Sequence, residues 1–144
     1  MSAPEGRPAP LEDLLPANLL ALADWRWREA GWRRDCLDEL AQAATDRGLA
    51  TIGGQVQLRL PDALAELYWR DYDPSPRREG EGWTVFVARS WKELKFLIND
   101  LPADPLLGED ARRLDGLDDY STDELTGAVR FVVYLAAEPE AYSP

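Results

Sequence analysis

Leucines recur at helical spacing between residues 11 and 22, and a longer helical pattern follows them. Pro16 interrupts the first stripe and cannot continue a helix, so we predict two short helical pieces there. From Asp24 to Gly48 the large apolar residues again follow a period of about 3.6 residues, and Gly48 stands where a left-handed helix end is expected. We predict one long amphipathic helix over 24–48. Its apolar face comprises Trp25, Trp27, Trp32, Cys36, Leu37, Leu40 and Ala44.

After that glycine the pattern changes to a period of two, which is typical of a half-buried strand. Residues 49–60 alternate in this way, and the Gly53-Gly54 pair inside them predicts a bulge or a tight turn. Pro61 ends the strand, and we predict a short helix over 63–69 after it. A polar loop rich in proline and arginine follows over 73–80.

The segment from 83 to 101 fits two structures. Residues 83–88 are rich in β-branched and aromatic side chains, and Ser90 and Glu93 have the spacing of a helix capping box. We therefore predict a strand over 83–88 and a helix over 91–101. One continuous helix is the alternative, because the apolar residues of this segment also share a helical face.

A second capping box, Ser121 to Glu124, predicts a helix over 122–137, although the run 129–134 would equally suit a strand. Residues 1–10 contain three prolines and no periodicity and predict a flexible tail. Together the elements predict a single α+β domain over 11–140. In it, N-terminal and C-terminal helices pack on a small, mainly antiparallel sheet.

The chain is strongly acidic, since 27 acids against 16 basic residues give a net charge of −11 over 144 residues. Such a surface repels nucleic-acid phosphates and anionic membranes and attracts a basic protein. We predict a basic protein partner and neither nucleic acid nor membrane; acidity that serves solubility alone is the alternative. No signal-peptide pattern begins the chain, and no apolar run reaches the roughly 18 residues of a membrane-spanning helix. A cytoplasmic location is expected.

Residues for catalysis are scarce. The chain has no histidine and one cysteine, so histidine-based triads, histidine zinc sites and thiolate clusters are excluded. Cys36 lies on the apolar face of the predicted long helix, which favours a structural role. Asp115, Asp118 and Asp119 could bind a divalent cation, but their spacing does not follow the calcium-loop pattern. We predict no catalytic activity, metal or cofactor, and keep a carboxylate-based metal-dependent enzyme as an alternative.

Two groups of residues form the predicted contact surface for a partner. Tyr68, Trp69 and Tyr72 are aromatic anchors of the kind that interfaces favour, although their spacing also suits core packing. Residues 99–124 hold nine acids against two arginines, and nine minus two is seven of the eleven net negative charges. We predict that these acids meet the basic partner, against the alternative of a solvated loop. The predicted acidic contacts are Asp104, Glu109, Asp110, Asp115, Asp118, Asp119 and Asp123.

The stretch GLATIGGQVQLRLPDALAELYWRDYD, with the tryptophan and serine after it, resembles the small immunity proteins of bacterial polymorphic toxin systems. One group of these carries a helix, an ILGGDVY-like strand, a Y-x-x-W-Y-like aromatic cluster and a segment with tryptophan and serine. Gln55 departs from that pattern, which favours an acid there, and the aromatic spacing differs. The resemblance covers 32–98 and implies a cytosolic protein that neutralises a cognate toxin by binding it. A regulatory or adaptor domain is the alternative. The matching positions are Ile52, Gly53, Gly54, Val56, Tyr68, Trp69, Tyr72, Trp83 and Ser90.

Overall fold

Five strands form one antiparallel sheet, and the helices pack on it. The computed structural model of the protein describes residues 10–139. The predicted tail over 1–10 falls, apart from Pro10, outside the described residues, as does residue 140. The strands are β1 (Asp24–Arg26), β2 (Glu29–Trp32), β3 (Ala50–Leu60), β4 (Ala63–Tyr72) and β5 (Val129–Ala136). The helices are α1 (Ala17–Leu20), α2 (Leu37–Asp46), α3 (Trp83–Asn99), α4 (Asp104–Asp110) and α5 (Thr122–Gly127), with 3-10 turns at Leu11–Leu14, Arg34–Cys36 and Ala111–Arg113.

The strand order across the sheet is β1-β2-β5-β3-β4, so that β4 lies at one edge and β1 at the other. All four neighbouring pairs are antiparallel. The predicted α+β fold with an antiparallel sheet is therefore confirmed. The two helical pieces expected on either side of Pro16 are present as the first 3-10 turn and α1.

The hydrophobic core lies between the sheet and helices α2 and α3. Val56 of β3 and Phe131 of β5 are directly paired and completely buried. Leu40 of α2 and Leu94 of α3 are completely buried in the same cluster. Burial of such side chains stabilises a fold by about 1.5–3 kcal/mol each, so this layer supplies much of the driving force for folding.

The Gly53-Gly54 pair forms the predicted bulge, because the register between β3 and β5 shifts between Thr51 and Gly53. Gly53 has a φ of 116°, a conformation that L side chains rarely adopt. A Cβ on Gly54 would lie 1.7 Å from the carbonyl oxygen of Val132. The strands thus approach so closely that only glycine fits here.

The long helix predicted over 24–48 is wrong for its first half. Residues 24–32 form a hairpin, and helical structure begins only at the 3-10 turn that precedes α2. Trp27 and Arg28 make the hairpin turn with φ values of 48° and 67°. Two-residue turns of this kind are usually formed by asparagine and glycine. Because neither residue is present, the turn left no local mark in the sequence.

One further predicted helix is a strand, and the second half of another is a strand as well. Residues 63–69 belong to β4, which pairs with β3 through a turn at Pro61 and Asp62. Good helix formers dominate this stretch, but pairing along β3 overrides their preference. The helix predicted over 122–137 ends at Gly127, and residues 129–136 form β5, the strand considered as the alternative. The capping box that begins it at Ser121 is present.

Residues 83–99 form the single helix α3, so the strand predicted over 83–88 is wrong and the alternative of one helix is right. The indole nitrogens of Trp83 and Trp91 donate to carbonyl groups of the α2–β3 connection at 2.7 and 2.8 Å. Ser90 does not cap a helix, because it is buried within α3. Its hydroxyl donates to the Val87 carbonyl (2.8 Å) and accepts from the Thr51 amide (3.2 Å). Ser90 therefore joins α3 to the sheet.

Candidate protein-interaction cleft

A cleft of about 490 Å³ lies between the edge strand β4 and the segment 114–117. Tyr68 projects there with 69% of its surface exposed, and Asp115 is also exposed. The fold thus places a predicted aromatic contact and a predicted acidic contact on one concave surface. We call it the β4 cleft. Its lining residues are Ala63, Leu64, Ala65, Glu66, Tyr68, Leu114, Asp115, Gly116 and Leu117.

Hydrogen bonds attach both ends of the segment that forms the outer wall of the β4 cleft, one end to β4 and the other to the β3–β4 turn. At one end, the Trp69 indole nitrogen and the Arg70 Nε donate to Oδ2 of Asp110 at 2.6 and 3.0 Å. At the other end, the hydroxyl of Tyr120 donates to the carboxylate of Asp62 in the β3–β4 turn. The wall is therefore held in place before any partner arrives, which lowers the entropy lost on binding.

An irregularity in β4 brings these side chains to the wall. Gln55 pairs with Asp71 and the next residue of β3 pairs with Leu67, which leaves residues 68–70 outside the ladder. Trp69 and Arg70 both reach Asp110 from this bulge, and Tyr68 packs edge-on against Trp69 with ring centroids 4.8 Å apart. The helix predicted over 63–69 would not have placed these side chains in this arrangement, because the arrangement depends on a bulge in a strand.

Asp110 is occupied within the protein. Its side chain is only 13% exposed. Burial by itself would raise the pKa of this carboxyl, but the hydrogen bonds from Trp69 and Arg70 and the charges of Arg70 and Arg113 outweigh it and lower the pKa. Arg113 also lies over the Trp69 ring, 5.5 Å from its centroid. Asp110 and Trp69 therefore shape the cleft and offer little to a partner.

The remaining predicted contacts divide into two sets. Tyr72 is 2% exposed, with its hydroxyl 2.6 Å from the Val132 carbonyl oxygen, so it presents no surface. Asp104 pairs with Arg34 at 3.1 Å, and Glu109 pairs with Arg112 at 3.3 Å. The second set is exposed, and its members form no ion pair within residues 10–139. These acids are Asp115, Asp118, Asp119 and Asp123.

Glu66 lines the β4 cleft but was not among the predicted contacts. Its carboxylate is exposed and accepts a hydrogen bond from Nε2 of Gln57 at 3.4 Å. Gln57 is 1% exposed and lies 3.3 Å from the Glu29 carboxylate as well. Glu66 lies within the helix predicted over 63–69, which is why it was not among the predicted contacts. The one sequence signal for a strand here is that the apolar residues Ala65 and Leu67 alternate with the polar or larger residues Glu66 and Tyr68.

Trp27 is a second exposed aromatic side chain, away from the cleft. It is 89% exposed at the tip of the β1–β2 hairpin. The hairpin is fixed by Arg59, whose side chain is fully buried and donates to the carbonyl oxygens of Asp24 and Glu29 at 2.6 and 2.9 Å. Arg26 adds a hydrogen bond to the Leu60 carbonyl at 2.9 Å.

Cys36 and the acids Asp115, Asp118 and Asp119 are the residues that the sequence offers for chemistry. Within residues 10–139, no group of three or more histidine, cysteine, aspartate or glutamate side chains is placed to hold a metal ion. Cys36 is half-buried beside Asp35, and burial together with that carboxylate raises the pKa of its thiol. A raised pKa keeps the thiol protonated and poorly nucleophilic. In the same range, no helix has both the length and the apolar character needed to cross a membrane.

Comparison of the chain with protein-family models, with curated protein sequences and with solved structures finds no match.

Proposed function

We propose that this protein is a non-catalytic binding protein whose β4 cleft receives a basic protein partner. The observation that carries the proposal is the cleft itself, where the exposed ring of Tyr68 faces a wall with Asp115, which forms no ion pair within residues 10–139. Asp118 and Asp119 continue the exposed acidic surface along the same segment. Carboxylates that form no ion pair in the described part of the chain can pair with the lysine and arginine residues of a partner.

The two kinds of residue contribute differently to binding. Exposed acids on one segment raise the rate of encounter with a basic protein and reject acidic partners. An aromatic side chain such as Tyr68 supplies apolar contact area with few rotatable bonds, so it loses little entropy on binding. The fastened wall of the cleft reduces the entropy loss further. The proposal therefore combines charge steering with one preorganised anchor.

We infer further that the partner is a toxin and that the protein acts in the cytoplasm as its immunity protein. The inference is supported by the resemblance of residues 32–98 to immunity proteins and by the acidic surface, which suits basic toxins such as many nucleases. Two features of that resemblance, the glycine pair and Tyr68, lie on the adjacent strands β3 and β4. A regulatory or adaptor role would use the same cleft, but its loss would not expose the cell to a toxin.

The first experiment is co-expression with the protein encoded immediately upstream, followed by size-exclusion chromatography at about 50 mM and about 500 mM salt. We expect a stable complex that weakens at high salt, and rescue of growth from an otherwise lethal neighbour. A complex without toxicity would favour the adaptor role. The absence of both a complex and toxicity would remove the immunity assignment.

The acidic wall is tested by replacing Asp115, Asp118 and Asp119 together with lysine. We expect at least about tenfold weaker binding and a shallower dependence on salt, because like charges then face the partner. The matched control replaces three exposed acids outside residues 99–124, Asp13, Glu79 and Glu138, with lysine and changes net charge equally. Equal losses for both variants would mean that total charge, and not this wall, attracts the partner.

A further inference from the structure

The open edge of β4 has backbone groups that point out of the sheet. The Arg59 amide donates to the Ala128 carbonyl at 2.8 Å, on the β5 side of β3. Successive residues of a strand direct their backbone groups to opposite sides, so the groups of Leu58 and Leu60 point at β4. Arg59 and Gln57 therefore form the non-hydrogen-bonded pairs of the β3–β4 ladder.

The β4 residues opposite these two are Leu64 and Glu66, since Arg59 pairs with Leu64 and Gln57 with Glu66. In an antiparallel ladder the partner in a non-hydrogen-bonded pair directs its N–H and C=O away from the shared strand. The amide and carbonyl groups of Leu64 and Glu66 thus point toward the β4 cleft. Within residues 10–139 no loop backbone hydrogen-bonds any of these four groups.

The two faces of the sheet differ in polarity along β4. Glu66 pairs with Gln57 and is exposed on one face, whereas Ala63 and Ala65 lie on the other face, where Ala65 pairs with Leu58. A strand that pairs with β4 would lie about 4.8 Å away and would turn alternate side chains to these two faces. The face of Glu66 accepts lysine or arginine, and the face of the two alanines accepts apolar residues.

We propose that an extended segment of the protein partner, with alternating basic and apolar residues, adds to the sheet as a sixth strand beside β4. Its backbone pairs with the outward N–H and C=O groups of Leu64 and Glu66, and its basic side chains lie beside Glu66. Asp115 at the rim adds a second carboxylate for the same segment. This inference deepens the proposed function and rests on it, since it names the part of the partner that binds.

A second copy of this chain is a poorer occupant of the same edge. Antiparallel pairing of two β4 strands about this region would bring the two Glu66 carboxylates together across the interface. Like charges directly opposite each other destabilise a strand pair, and charged residues on edge strands prevent edge-to-edge association. The carboxylate that repels a copy of this chain attracts a basic segment.

The test uses the blocked peptide Lys-Val-Lys-Val-Lys-Val-Lys as the probe, at up to about 1 mM, and amide hydrogen exchange followed by NMR. We expect the exchange of the Leu64 and Glu66 amides to slow at least about tenfold in the presence of the peptide. The Ala65 amide, which points at β3, should not change. The control peptide Lys-Lys-Lys-Lys-Val-Val-Val has the same composition without the alternation and should give no such protection.

Variants separate strand addition from charge attraction alone. Glu66→Lys should weaken binding of the alternating peptide at least about fivefold, whereas Asp13→Lys should leave it within about twofold. Unchanged exchange in α3 shows that each variant is folded. Exchange at Leu64 and Glu66 that is unaffected by saturating peptide, or equal protection by both peptides, overturns the inference. Protection that grows with protein concentration in the absence of peptide would identify a second copy as the occupant and also overturns it.

The outcomes also distinguish this inference from the proposed function. A complex with the neighbouring protein in which the Leu64 and Glu66 amides exchange as fast as in the free protein would retain the binding function and refute strand addition. Specific protection by the alternating peptide, without any complex in the co-expression experiment, would retain the edge site and refute the immunity role.

Discussion

Arg59 is the charged side chain on which the position of the β1–β2 hairpin depends. Its guanidinium has no exposed surface and lies within 3.1 Å of the Glu29 carboxylate and 3.6 Å of the Asp24 carboxylate. Burial, opposed by these two acids, lowers the pKa of Arg59. Its Nε also donates to Gln57 at 3.1 Å, and Gln57 contacts Glu66 at the cleft. The network therefore extends from the hairpin to the candidate site.

Replacing Arg59 with methionine removes the charge and keeps most of the apolar stem. The carbonyl oxygens of Asp24 and Glu29 lose their donor, and each unsatisfied group costs about 1 kcal/mol or more. The two carboxylates are 27% and 40% exposed, so they regain water once the arginine is gone. We expect a loss of about 3 kcal/mol, at the lower end of the range for a broken buried ion pair.

Removal of the carboxylates instead of the arginine is expected to destabilise the protein more. Asp24→Asn combined with Glu29→Gln leaves the guanidinium of Arg59 buried without a counter-charge, at a cost of about 4–5 kcal/mol. Adding Arg59→Met to this double variant then removes the stranded charge. The triple variant should therefore be more stable than the double variant by about 1 kcal/mol or more.

The assay is urea unfolding followed by tryptophan fluorescence, with the slope m compared among variants so that only stability differences are read. Arg33→Met is the control, because Arg33 is exposed and forms no ion pair within residues 10–139; it should stay within about 0.5 kcal/mol of the parent protein. An Arg59→Met protein of parental stability would show that the buried pair contributes nothing. A triple variant that is less stable than the double variant would refute the argument that an unpaired buried guanidinium destabilises the fold.

Three further outcomes follow from single contacts. Gly54→Ala forces a Cβ against a β5 carbonyl and should destabilise the protein by at least about 3 kcal/mol in the same urea assay. Trp27→Asn with Arg28→Gly relieves two positive φ angles and should stabilise it by about 1 kcal/mol, while any partner that uses the Trp27 ring would bind less well. The pKa of Asp110 is lowered in the folded protein, so its ionised carboxylate stabilises the fold fully above the ordinary pKa of 3.8. This stabilisation is lost as the pH falls through the lower pKa of the folded state. Asp110→Asn should therefore make the free energy of unfolding fall less steeply in that acidic range.

Those parts of the fold that depend on local chemistry could be predicted from the sequence. The strand over 49–60, the bulge at the glycine pair and the helix start at Ser121 each have a nearby physical cause, and each is present. The hairpin at 24–32 has no such cause, because Trp27 and Arg28 hold a turn that usually requires asparagine and glycine. The tryptophans flanking it then matched a helical period by coincidence.

Segments with two acceptable local structures were decided by distant partners. The helix formers of 63–69 became a strand because they pair with β3, and the valine-rich run near the C-terminus became β5 between β2 and β3. Ser90 shows the reverse case, in which a capping signal is cancelled because its hydroxyl binds the Thr51 amide in the sheet. No window of a few residues contains these contacts, so propensity alone could not choose.

The number of acidic residues in the sequence overestimates how many carboxylates are available to a partner. Asp104, Glu109 and Asp110 each have an arginine partner within the fold, and Asp110 also anchors the cleft wall. An acid that binds an internal arginine must lose that contact before it can bind a partner, so it adds little net attraction. The acids of this segment therefore have two roles. Asp110 binds the wall to β4, whereas the exposed acids, together with Glu66, are available to a partner. Glu66 is accessible to a partner because β4 is an edge strand, as the strand order β1-β2-β5-β3-β4 requires.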